Sequence, residues 1–390
     1  MKLMIIAGEV SGDIHGAGLI KYLRKENEKI DFFGIGGSKM LNEKFRNYFL
    51  LETLQSNGLI ELIHHLPRLY KTLKKMCKVM EKERPDALIL IDYPGFNLKL
   101  ATYAKKIGIP VIFFNSPQIW AWRKGRLNTI RKVVDKMIVL FPFEENIYKQ
   151  AGVDVSWIGH PLLDQKLNKN RLNSFFNQFG LKKDQPIFVL APGSRPSELR
   201  RHLPTIIEAL PYIQNSSEKL QFILPLAESL NLKEVKKIII SSEVPIKIIK
   251  DHFFESIHVC DTAIVASGTA SLQVGLALKP FIIIYKVSPL TFWIASNLSK
   301  TKYIGMVNVL AKKEIVPELL QNDFNVKNIV EESIRILHEK DYRVRMISEL
   351  QKIRTKLGEE GAYPRAANSI KKFLKNKIDK KNLFSKSRIN

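Results

Sequence analysis

A chain of 390 residues predicts two domains, because single hydrophobic cores stop growing at about 250 to 300 residues. Its 45% hydrophobic and 26% charged residues place it among globular proteins and exclude a largely disordered chain. The formal charge of +24 indicates an anionic partner, which is nucleic acid, acidic phospholipid or a phosphorylated substrate, and composition does not choose among these.

The apolar runs along the chain are short. The longest, such as Ala87–Ile91 and Phe281–Tyr285, fall far short of the ~20 residues that cross a bilayer, so they predict buried strands. The first residues enter such a strand without a secretory signal pattern, which predicts a cytoplasmic protein. The two cysteines, Cys77 and Cys260, lie far apart with no cluster of ligands nearby, so neither a disulfide nor a metal site is predicted.

The first part of the chain alternates apolar runs with amphipathic segments. The runs are Lys2–Ala7, 30–34, 87–92, 110–115, 136–141 and 155–159. Near-continuous apolar strands separated by helical segments predict a doubly wound parallel sheet covered on both faces. A polar stretch over 159–173 then predicts a boundary, so residues 1–165 form one Rossmann-like domain.

The second part repeats this rhythm. Its runs are Ile187–Ala191, 221–224, 245–249, Thr262–Ala266 and Phe281–Tyr285. They predict a second Rossmann-like domain over 166–345. Beyond it the sequence is polar and helical, and we predict C-terminal helices over 346–375 that pack back on the first domain, followed by an exposed basic tail over 376–390.

Ligands of open α/β sheets bind beyond the carboxyl ends of the strands, so the loops there hold the candidate site residues. After the first strand comes a glycine-rich turn whose candidates for ligand binding are Ser11, Gly12, Asp13 and His15. It lacks the G-x-G-x-x-G spacing of dinucleotide sites. A tight turn explains the glycines alone, but not the three polar side chains together.

Asp92 follows the apolar run Ala87–Ile91 directly. A carboxylate in a partly desolvated cleft has a raised pKa and can take a proton from a hydroxyl nucleophile. Aspartate is also a favoured N-cap, so capping of the next helix explains the residue equally well. His15 is a competing candidate for the base, because histidine titrates near neutrality.

Two loops of the second domain carry small, hydroxyl-bearing and charged residues. The first holds Gly193, Ser194, Arg195 and Glu198, and the second holds Ser267, Gly268, Thr269, Ala270 and Gln273. Arginine clamps a diphosphate with two hydrogen bonds, and the start of a helix receives phosphate oxygens. Helix capping by serine or threonine is the alternative. Two such loops at corresponding places favour binding of a nucleotide diphosphate.

Seven motifs together resemble the lipid-A-disaccharide synthase family, in order over residues 1 to roughly 320. They are Ala7-Gly8-Glu9-Val10-Ser11-Gly12-Asp13, Ile91-Asp92-Tyr93-Pro94-Gly95-Phe96-Asn97, Ser116-Pro117-Gln118-Ile119-Trp120-Ala121-Trp122-Arg123, Phe143-Glu144, Ile158-Gly159-His160-Pro161, Pro192-Gly193-Ser194-Arg195 and Ala266-Ser267-Gly268-Thr269-Ala270. The resemblance implies an inverting glycosyltransferase of the GT-B fold, with two Rossmann-like domains and a cleft between them. It implies no metal and no cofactor.

By the same resemblance the donor is UDP-2,3-diacylglucosamine and the acceptor is 2,3-diacylglucosamine 1-phosphate (lipid X), joined by a β-1,6 linkage with release of UDP. The family's catalytic residues correspond to Asp92, Arg195 and Asn308. Many relatives carry a second acid where Gly95 stands and a glutamate where Gln273 stands. Asp92 is therefore the favoured carboxylate. Gln273 stands where such folds contact the nucleotide ribose, and it can donate and accept hydrogen bonds but lacks the two acceptor oxygens of a carboxylate.

Acylated substrates imply that the enzyme works at an anionic membrane surface, on the cytoplasmic face of the inner membrane. Over residues 59–80, an apolar stripe at helical spacing lies beside several lysines, which is typical of an interfacial helix but also of an ordinary helix packed on a core. The segment 292–295 and the basic tail carry the same two interpretations. Trp120 and Trp122 either stack on substrate or pack in the protein.

Two other functions remain open on the sequence. A UDP-N-acetylglucosamine 2-epimerase shares two α/β domains and UDP binding, but needs no acceptor. A basic nucleic-acid-binding protein would explain the charge, yet no zinc finger, RNP1-like segment or KH-type loop supports it, so no nucleic-acid partner is predicted. Assembly into a homo-oligomer is left open.

Overall fold

The computed structural model describes residues 1–26, 28–51, 54, 59–117, 125–217, 219–289, 292 and 301–386. The chain divides into two compact units. The first unit comprises Met1–Asp164 and Leu357–Asn390, and the second unit comprises Gln165–Lys356. The C-terminal segment of the first unit begins at Leu357, later than the predicted position 346, because the helix Lys340–Lys356 belongs to the second unit.

The first unit is built on a seven-stranded parallel sheet. Its strands are β1 (Lys2–Ala7), β2 (Asp31–Gly36), β3 (Arg46–Leu50), β4 (Ala87–Ile91), β5 (Val111–Phe114), β6 (Lys136–Val139) and β7 (Val155–Trp157). They lie in the order β3-β2-β1-β4-β5-β6-β7. Every residue of β4, β5 and β6 is buried, and all are apolar except Lys136, whose ammonium pairs with Asp154, which is why these strands read as apolar runs. The strand order reverses between β1 and β4, and we call this place the first switch point.

The helices of the first unit connect these strands, and one comes from the end of the chain. They are α1 (Val10–Glu26), α2 (Ser38–Asn42), α3 (Leu59–Glu83), α4 (Pro94–Lys106), α5 (Arg126–Val133), α6 (Pro142–Gln150) and the C-terminal helix Ala362–Lys386. The carboxylate of Asp164 accepts hydrogen bonds from the amides of Gly361 and Ala362, at 2.6 and 3.2 Å. Tyr363 stacks on Tyr22 of α1. These contacts seat the C-terminal helix within the first unit.

α3 carries the apolar stripe for which the sequence allowed a core or a membrane role. Met76 and Met80 are buried, and Leu69 and Leu73 pack against the same core. Leu66 and Tyr70 are instead 55% and 57% exposed. The exposed basic side chains of α3 include Arg68, Lys71, Lys74, Lys75 and Lys78. The C-terminal part of the stripe therefore belongs to the core, while Leu66 and Tyr70 lie at the surface; the side chain of Leu62 lies outside the described residues. Of the helices that the structure describes, none is both long and apolar enough to cross a membrane.

The second unit repeats the architecture with a six-stranded parallel sheet. Its strands are β8 (Ile187–Ala191), β9 (Gln221–Leu226), β10 (Ile246–Lys250), β11 (Thr262–Ala266), β12 (Phe281–Tyr285) and β13 (Glu318–Leu320), in the order β10-β9-β8-β11-β12-β13. Its helices include α7 (Lys169–Phe179), α8 (Pro196–Ser216), α9 (Leu232–Ile239), α10 (Phe253–Val259) and α11 (Thr269–Leu276), then Met306–Ala311, Val326–His338 and Lys340–Lys356. The order reverses between β8 and β11, at the second switch point. The predicted pair of doubly wound parallel sheets is thus confirmed.

Candidate functional site

Asp92 stands at the first switch point, on a sharp turn between β4 and α4. Asp92 and Tyr93 both adopt left-handed backbone, with φ of +52° and +45°. Such conformations cost non-glycine residues about 1 to 3 kcal/mol each and cluster at functional sites. The N-cap of α4 is Tyr93, so Asp92 does not cap this helix as the alternative interpretation required. The turn instead frees the Asp92 carboxylate for contacts with neighbouring loops.

The loops after three adjacent strands meet at this carboxylate. Ser11, in the first turn of α1 after β1, donates its hydroxyl to Oδ2 of Asp92 at 3.4 Å. Asn115, which follows β5, donates its amide to Oδ1. A Cβ at Gly12 would lie 3.4 Å from the Cβ of Ala7 and 3.5 Å from Ile91, so this glycine covers the ends of β1 and β4. The first switch point therefore brings together three of the predicted site residues, Ser11, Gly12 and Asp92.

The environment of Asp92 favours its protonated form. Burial and, to a smaller extent, the negative charge of Glu9 raise the pKa of Asp92, whereas the hydrogen bonds from Ser11 and Asn115 lower it; the net result is a pKa of about 7. A catalytic base is most effective when its pKa lies near the working pH. Asp92 thus has the acidity that a general base needs at neutral pH.

Asn97 is a residue of this site that the sequence did not single out. It is fully buried on α4, and its amide donates to the carbonyl oxygens of Ile91 at 3.2 Å and Asp92 at 2.7 Å. Its Oδ1 is buried and has no hydrogen-bond partner among the described residues. These bonds hold the left-handed turn in place. A polar residue on the otherwise apolar, core-facing side of α4 was the signal available in the sequence.

Asp13 and His15, one and three positions after Gly12 on α1, have structural partners. The Asp13 carboxylate is buried and accepts hydrogen bonds from the amides of Gly37, Lys39 and Met40, at 2.8, 2.9 and 3.0 Å, at the start of α2. His15 Nδ1 lies 3.1 Å from the hydroxyl of Tyr363. Burial lowers the pKa of His15 to about 4, so its ring is neutral at neutral pH. Ligand binding by these two residues stays a prediction, and their contacts favour a positioning role.

In the second unit, the loop after β8 wraps around the carboxylate of Glu198. This carboxylate accepts hydrogen bonds from the amides of Ser194 and Arg195, at 3.0 and 3.3 Å, and from Nη1 of Arg195 at 3.1 Å. Gly193 has a φ of +128°, and a Cβ there would lie 2.4 Å from Oε2 of Glu198. The Arg195 side chain is 63% exposed. Glu198 therefore orders the loop and orients an arginine that remains accessible.

The loop after β11 leaves polar groups accessible at the second switch point. The amide of Ser267 donates to Ile284 at 3.0 Å, and its hydroxyl donates to the carbonyl oxygen of Ile304 at 3.2 Å. Gly268, with a φ of +149°, is the N-cap of α11 without a side-chain capping bond, so capping by Ser267 or Thr269 does not occur. Gly268 and Thr269 are exposed, and Ala270 and Gln273 are partly exposed. These groups are free of the capping role that was the alternative to phosphate binding.

Asn308 is fully buried and hydrogen-bonded to protein on every side. Its amide donates to the carbonyl oxygen of Val316 at 2.7 Å and to Oε1 of Glu318 at 2.8 Å. Its Oδ1 accepts from the amides of Ile315 and Val316, at 2.8 and 3.1 Å. These four bonds use the full capacity of an asparagine side chain. Direct contact of Asn308 with substrate stays a prediction, and the bonds favour an indirect role.

His202 is a second residue that the sequence analysis missed. Its buried ring accepts the amide hydrogen of Lys286 at Nε2, at 2.9 Å, which leaves Nδ1 to donate to the carbonyl oxygen of Pro192 at 2.6 Å. Burial lowers the pKa of His202, which favours this neutral form. The ring ties the loop after β8 to the segment after β12. No local pattern marks such a bridge, since its two partners are far apart in the chain.

Other predicted positions fall partly outside the described residues. Trp120 and Trp122 lie outside them, and of the segment 292–295 only Phe292 is described, at 42% exposure. In the parts of the chain that the structure describes, no group of three or more His, Cys, Asp or Glu side chains is placed to hold a metal ion. Cys260 is a buried thiol, whereas Cys77 is half-buried.

Two doubly wound parallel sheets in one chain, each with polar loops at its switch point, define the GT-B class of fold. A solved UDP-GlcNAc 2-epimerase from Neisseria meningitidis, bound to UDP-GlcNAc, is similar with a TM-score of 0.64 and 14% identity, over 96% of this chain and 100% of that chain. At this identity the likeness shows the fold alone.

Sequence comparison then narrows the class. The family model described as Lipid-A-disaccharide synthetase matches residues 3–373. The lipid-A-disaccharide synthase of Trichlorobacter lovleyi is 40% identical over 369 residues, which cover 95% of this chain and 96% of the relative. That of Syntrophus aciditrophicus is 41% identical over 366 residues, covering 94% and 96%.

The chain belongs to the lipid-A-disaccharide synthase family and is a glycosyltransferase. The resemblance seen in the sequence motifs is thereby confirmed. The epimerase alternative rests on likeness of fold alone. Membership of an enzyme family argues against the non-enzymatic, nucleic-acid-binding alternative.

Proposed function

We propose that this chain condenses UDP-2,3-diacylglucosamine with 2,3-diacylglucosamine 1-phosphate (lipid X) to give the β-1,6-linked lipid A disaccharide 1-phosphate and UDP. Family membership over residues 3–373 supports the reaction. The observation that carries the chemistry is the Asp92 carboxyl at the first switch point, whose pKa burial raises to about 7. A base of this strength suits the removal of a proton from a sugar hydroxyl as that hydroxyl attacks.

The proposed mechanism is a single displacement with inversion. The 6-hydroxyl oxygen of the acceptor forms a bond to the anomeric carbon of the donor, and its proton passes to the carboxylate of Asp92. The bond from the anomeric carbon to the diphosphate oxygen breaks, and UDP leaves with the electron pair. Charge therefore grows on the diphosphate, where cationic and amide donors stabilise the transition state most.

We assign the diphosphate to the two loops of the second unit. Arg195 supplies an accessible guanidinium, and the amides of Gly268, Thr269 and Ala270 lie at the start of α11. Glu198 supports this assignment, because it holds Ser194 and Arg195 by their amides and leaves most of the guanidinium exposed. Gln273, one turn into α11, is assigned to the nucleoside side; it lacks the two acceptor oxygens of a carboxylate.

We further propose that the protein binds reversibly to an anionic membrane surface, on the cytoplasmic face of the inner membrane, through α3. Leu66 and Tyr70 are exposed apolar side chains among basic ones, and the Lys74 ammonium lies 4.7 Å from the centre of the Tyr70 ring. Each basic residue near anionic lipid contributes about 1 kcal/mol, so several suffice for reversible binding. Vesicle co-sedimentation that is insensitive to both lipid charge and salt would contradict this proposal.

One assay tests the reaction against its rivals. Pure protein is incubated with the diacylated UDP-glucosamine, with and without lipid X, and the products are separated by chromatography and mass spectrometry. Release of UDP together with a tetra-acyl disaccharide, only when lipid X is present, supports the proposal. Conversion of the donor to its epimer without an acceptor would support the epimerase, and salt-sensitive RNA binding without UDP release would support the nucleic-acid-binding alternative.

A further inference from the structure

Glu318, at the start of β13, gathers three hydrogen-bond donors on one carboxylate. Its Oε2 accepts the amide hydrogen of Ile304 at 2.9 Å. Its Oε1 accepts the amide hydrogen of Gly305 at 3.0 Å and the side-chain amide of Asn308 at 2.8 Å. All three donors belong to one short segment of chain, at the start of the helix Met306–Ala311. The carboxylate therefore fixes the backbone of that segment.

The same segment touches the loop assigned to the diphosphate. The carbonyl oxygen of Ile304 accepts the hydroxyl hydrogen of Ser267 at 3.2 Å. Ile304 thus donates its amide hydrogen to Glu318 and accepts the hydroxyl hydrogen of Ser267, so this one residue links Glu318 to Ser267. The position of Ser267, and of the exposed Gly268 and Thr269 that follow it, depends on where Glu318 holds Ile304.

The packing around Gly305 leaves this link little freedom. A Cβ on Gly305 would lie 2.3 Å from Cδ1 of Ile283 and 3.0 Å from Oε1 of Glu318. The backbone of Gly305 therefore lies directly between β12 and the carboxylate. On the far side, Asn308 is tied to the amides of Ile315 and Val316, just before β13. Asn308 and Glu318 together clamp the segment from both ends.

We propose that Glu318 is a positioning residue for the nucleotide-diphosphate loop, and that Asn308 acts through it rather than by touching substrate. This inference rests on the proposed function, because it presumes that the 267–270 loop binds UDP. The carboxylate orders Ile304, the carbonyl oxygen of Ile304 orders the Ser267 hydroxyl, and the amides of Gly268, Thr269 and Ala270 are held ready for the diphosphate. Preorganised donors of this kind lose no free energy to reorganisation when the ligand arrives.

The first experiment replaces Glu318 with glutamine in the full-length protein and measures the Kd for UDP by calorimetry. Glutamine keeps the shape but puts an NH₂ group where a carboxylate oxygen accepts hydrogen bonds, so at least one donor must lose its partner. We expect the Kd for UDP to rise about tenfold, which corresponds to about 1.4 kcal/mol. The matched control is Glu331→Gln, an exposed acid on the helix Val326–His338 that pairs with Lys327, which should leave the Kd unchanged.

A double-mutant cycle then tests whether Glu318 acts through Ser267. If it does, Ser267→Ala combined with Glu318→Gln should weaken UDP binding little more than Glu318→Gln alone, because both changes break one link. Losses that multiply in full would overturn the proposed link. So would a Glu318→Gln protein whose melting temperature falls while its Kd for UDP stays within about twofold of the unaltered protein.

Two further outcomes keep the tests separate. Should Glu318→Gln fail to fold, Glu318→Asp keeps the charge and shortens the reach by one methylene, and a wild-type Kd for UDP in that variant would overturn the inference. If the unaltered protein binds UDP but forms no disaccharide, the proposed reaction is wrong. The role of Glu318 at the loop is then still decided by the Kd values for UDP of the variants and of the unaltered protein. If the unaltered protein does not bind UDP, both fail.

Discussion

Replacing Asp92 with asparagine removes the proposed base while keeping the shape of the side chain. Asparagine tolerates the left-handed backbone of this position, where φ is +52°. Its carbonyl oxygen can still accept a hydrogen bond from Ser11 or Asn115. Because general-base catalysis contributes about 10² to 10⁴ in rate, we expect kcat to fall by that factor, equivalent to about 3 to 5 kcal/mol of transition-state stabilisation.

The pH dependence of the unaltered enzyme follows from the same group. Burial raises the pKa of Asp92 from its ordinary value of 3.8 to about 7, so the carboxylate form is populated only as the pH rises through neutrality. We expect kcat/KM to rise with pH through about 7 and then to level off. The assay is the initial rate of UDP release, with both substrates, from about pH 5 to 9. A flat profile, or turnover by Asp92→Asn close to that of the unaltered enzyme, would refute the assignment.

The stability of the variant separates loss of chemistry from loss of fold. A carboxyl with a raised pKa binds more protons in the folded than in the unfolded state between pH 3.8 and about 7, so stability falls as the pH rises through this window. Asp92→Asn removes the ionisable group. The variant should therefore be at least as resistant to urea as the unaltered protein at about pH 8. A clearly less stable variant would mean that its lost activity reports misfolding.

Three further changes test the remaining assignments. Asn97→Leu removes the amide that holds the Asp92 turn, and it should lower kcat/KM at least tenfold and shift the pH profile of kcat/KM. An unshifted profile with only a lower melting temperature would make Asn97 purely structural. Arg195→Lys loses the planar fork that suits a diphosphate, and should raise the KM for the UDP-sugar about 10- to 100-fold, whereas Arg200→Lys, one turn along α8, should not. The double substitution Lys74→Glu with Lys75→Glu should weaken co-sedimentation with anionic vesicles. It should leave the turnover of detergent-dispersed substrate near that of the unaltered enzyme. Unchanged co-sedimentation would exclude α3 from the membrane contact.

The central strands of both sheets were predictable from the sequence because each is covered on both faces. Strands β4, β8 and β11 consist of buried residues throughout and read as apolar runs. The edge strands β3 and β13 were missed for the corresponding reason. Arg46–Leu50 is only half-buried, and Glu318–Leu320 is three residues long, so neither has the pattern of a buried strand.

The loops of the candidate site were also predictable, since parallel strands place their carboxyl ends at one edge of the sheet. Asp92 follows directly on β4, and Gly193 and Ser267 follow closely on β8 and β11, as the sequence alone indicates. The motifs around these positions likewise sufficed to name the family.

Only the tertiary structure decided what each polar side chain of those motifs contacts. Asp13 lies in the same motif as Ser11, yet it binds the amides at the start of α2, while Ser11 binds Asp92. Asn308 is satisfied by backbone groups near β13 and by the Glu318 carboxylate, and His202 by backbone groups from two other segments of the second unit. Whether a polar side chain faces ligand or protein depends on partners distant in sequence, and those partners are brought close only when the chain folds.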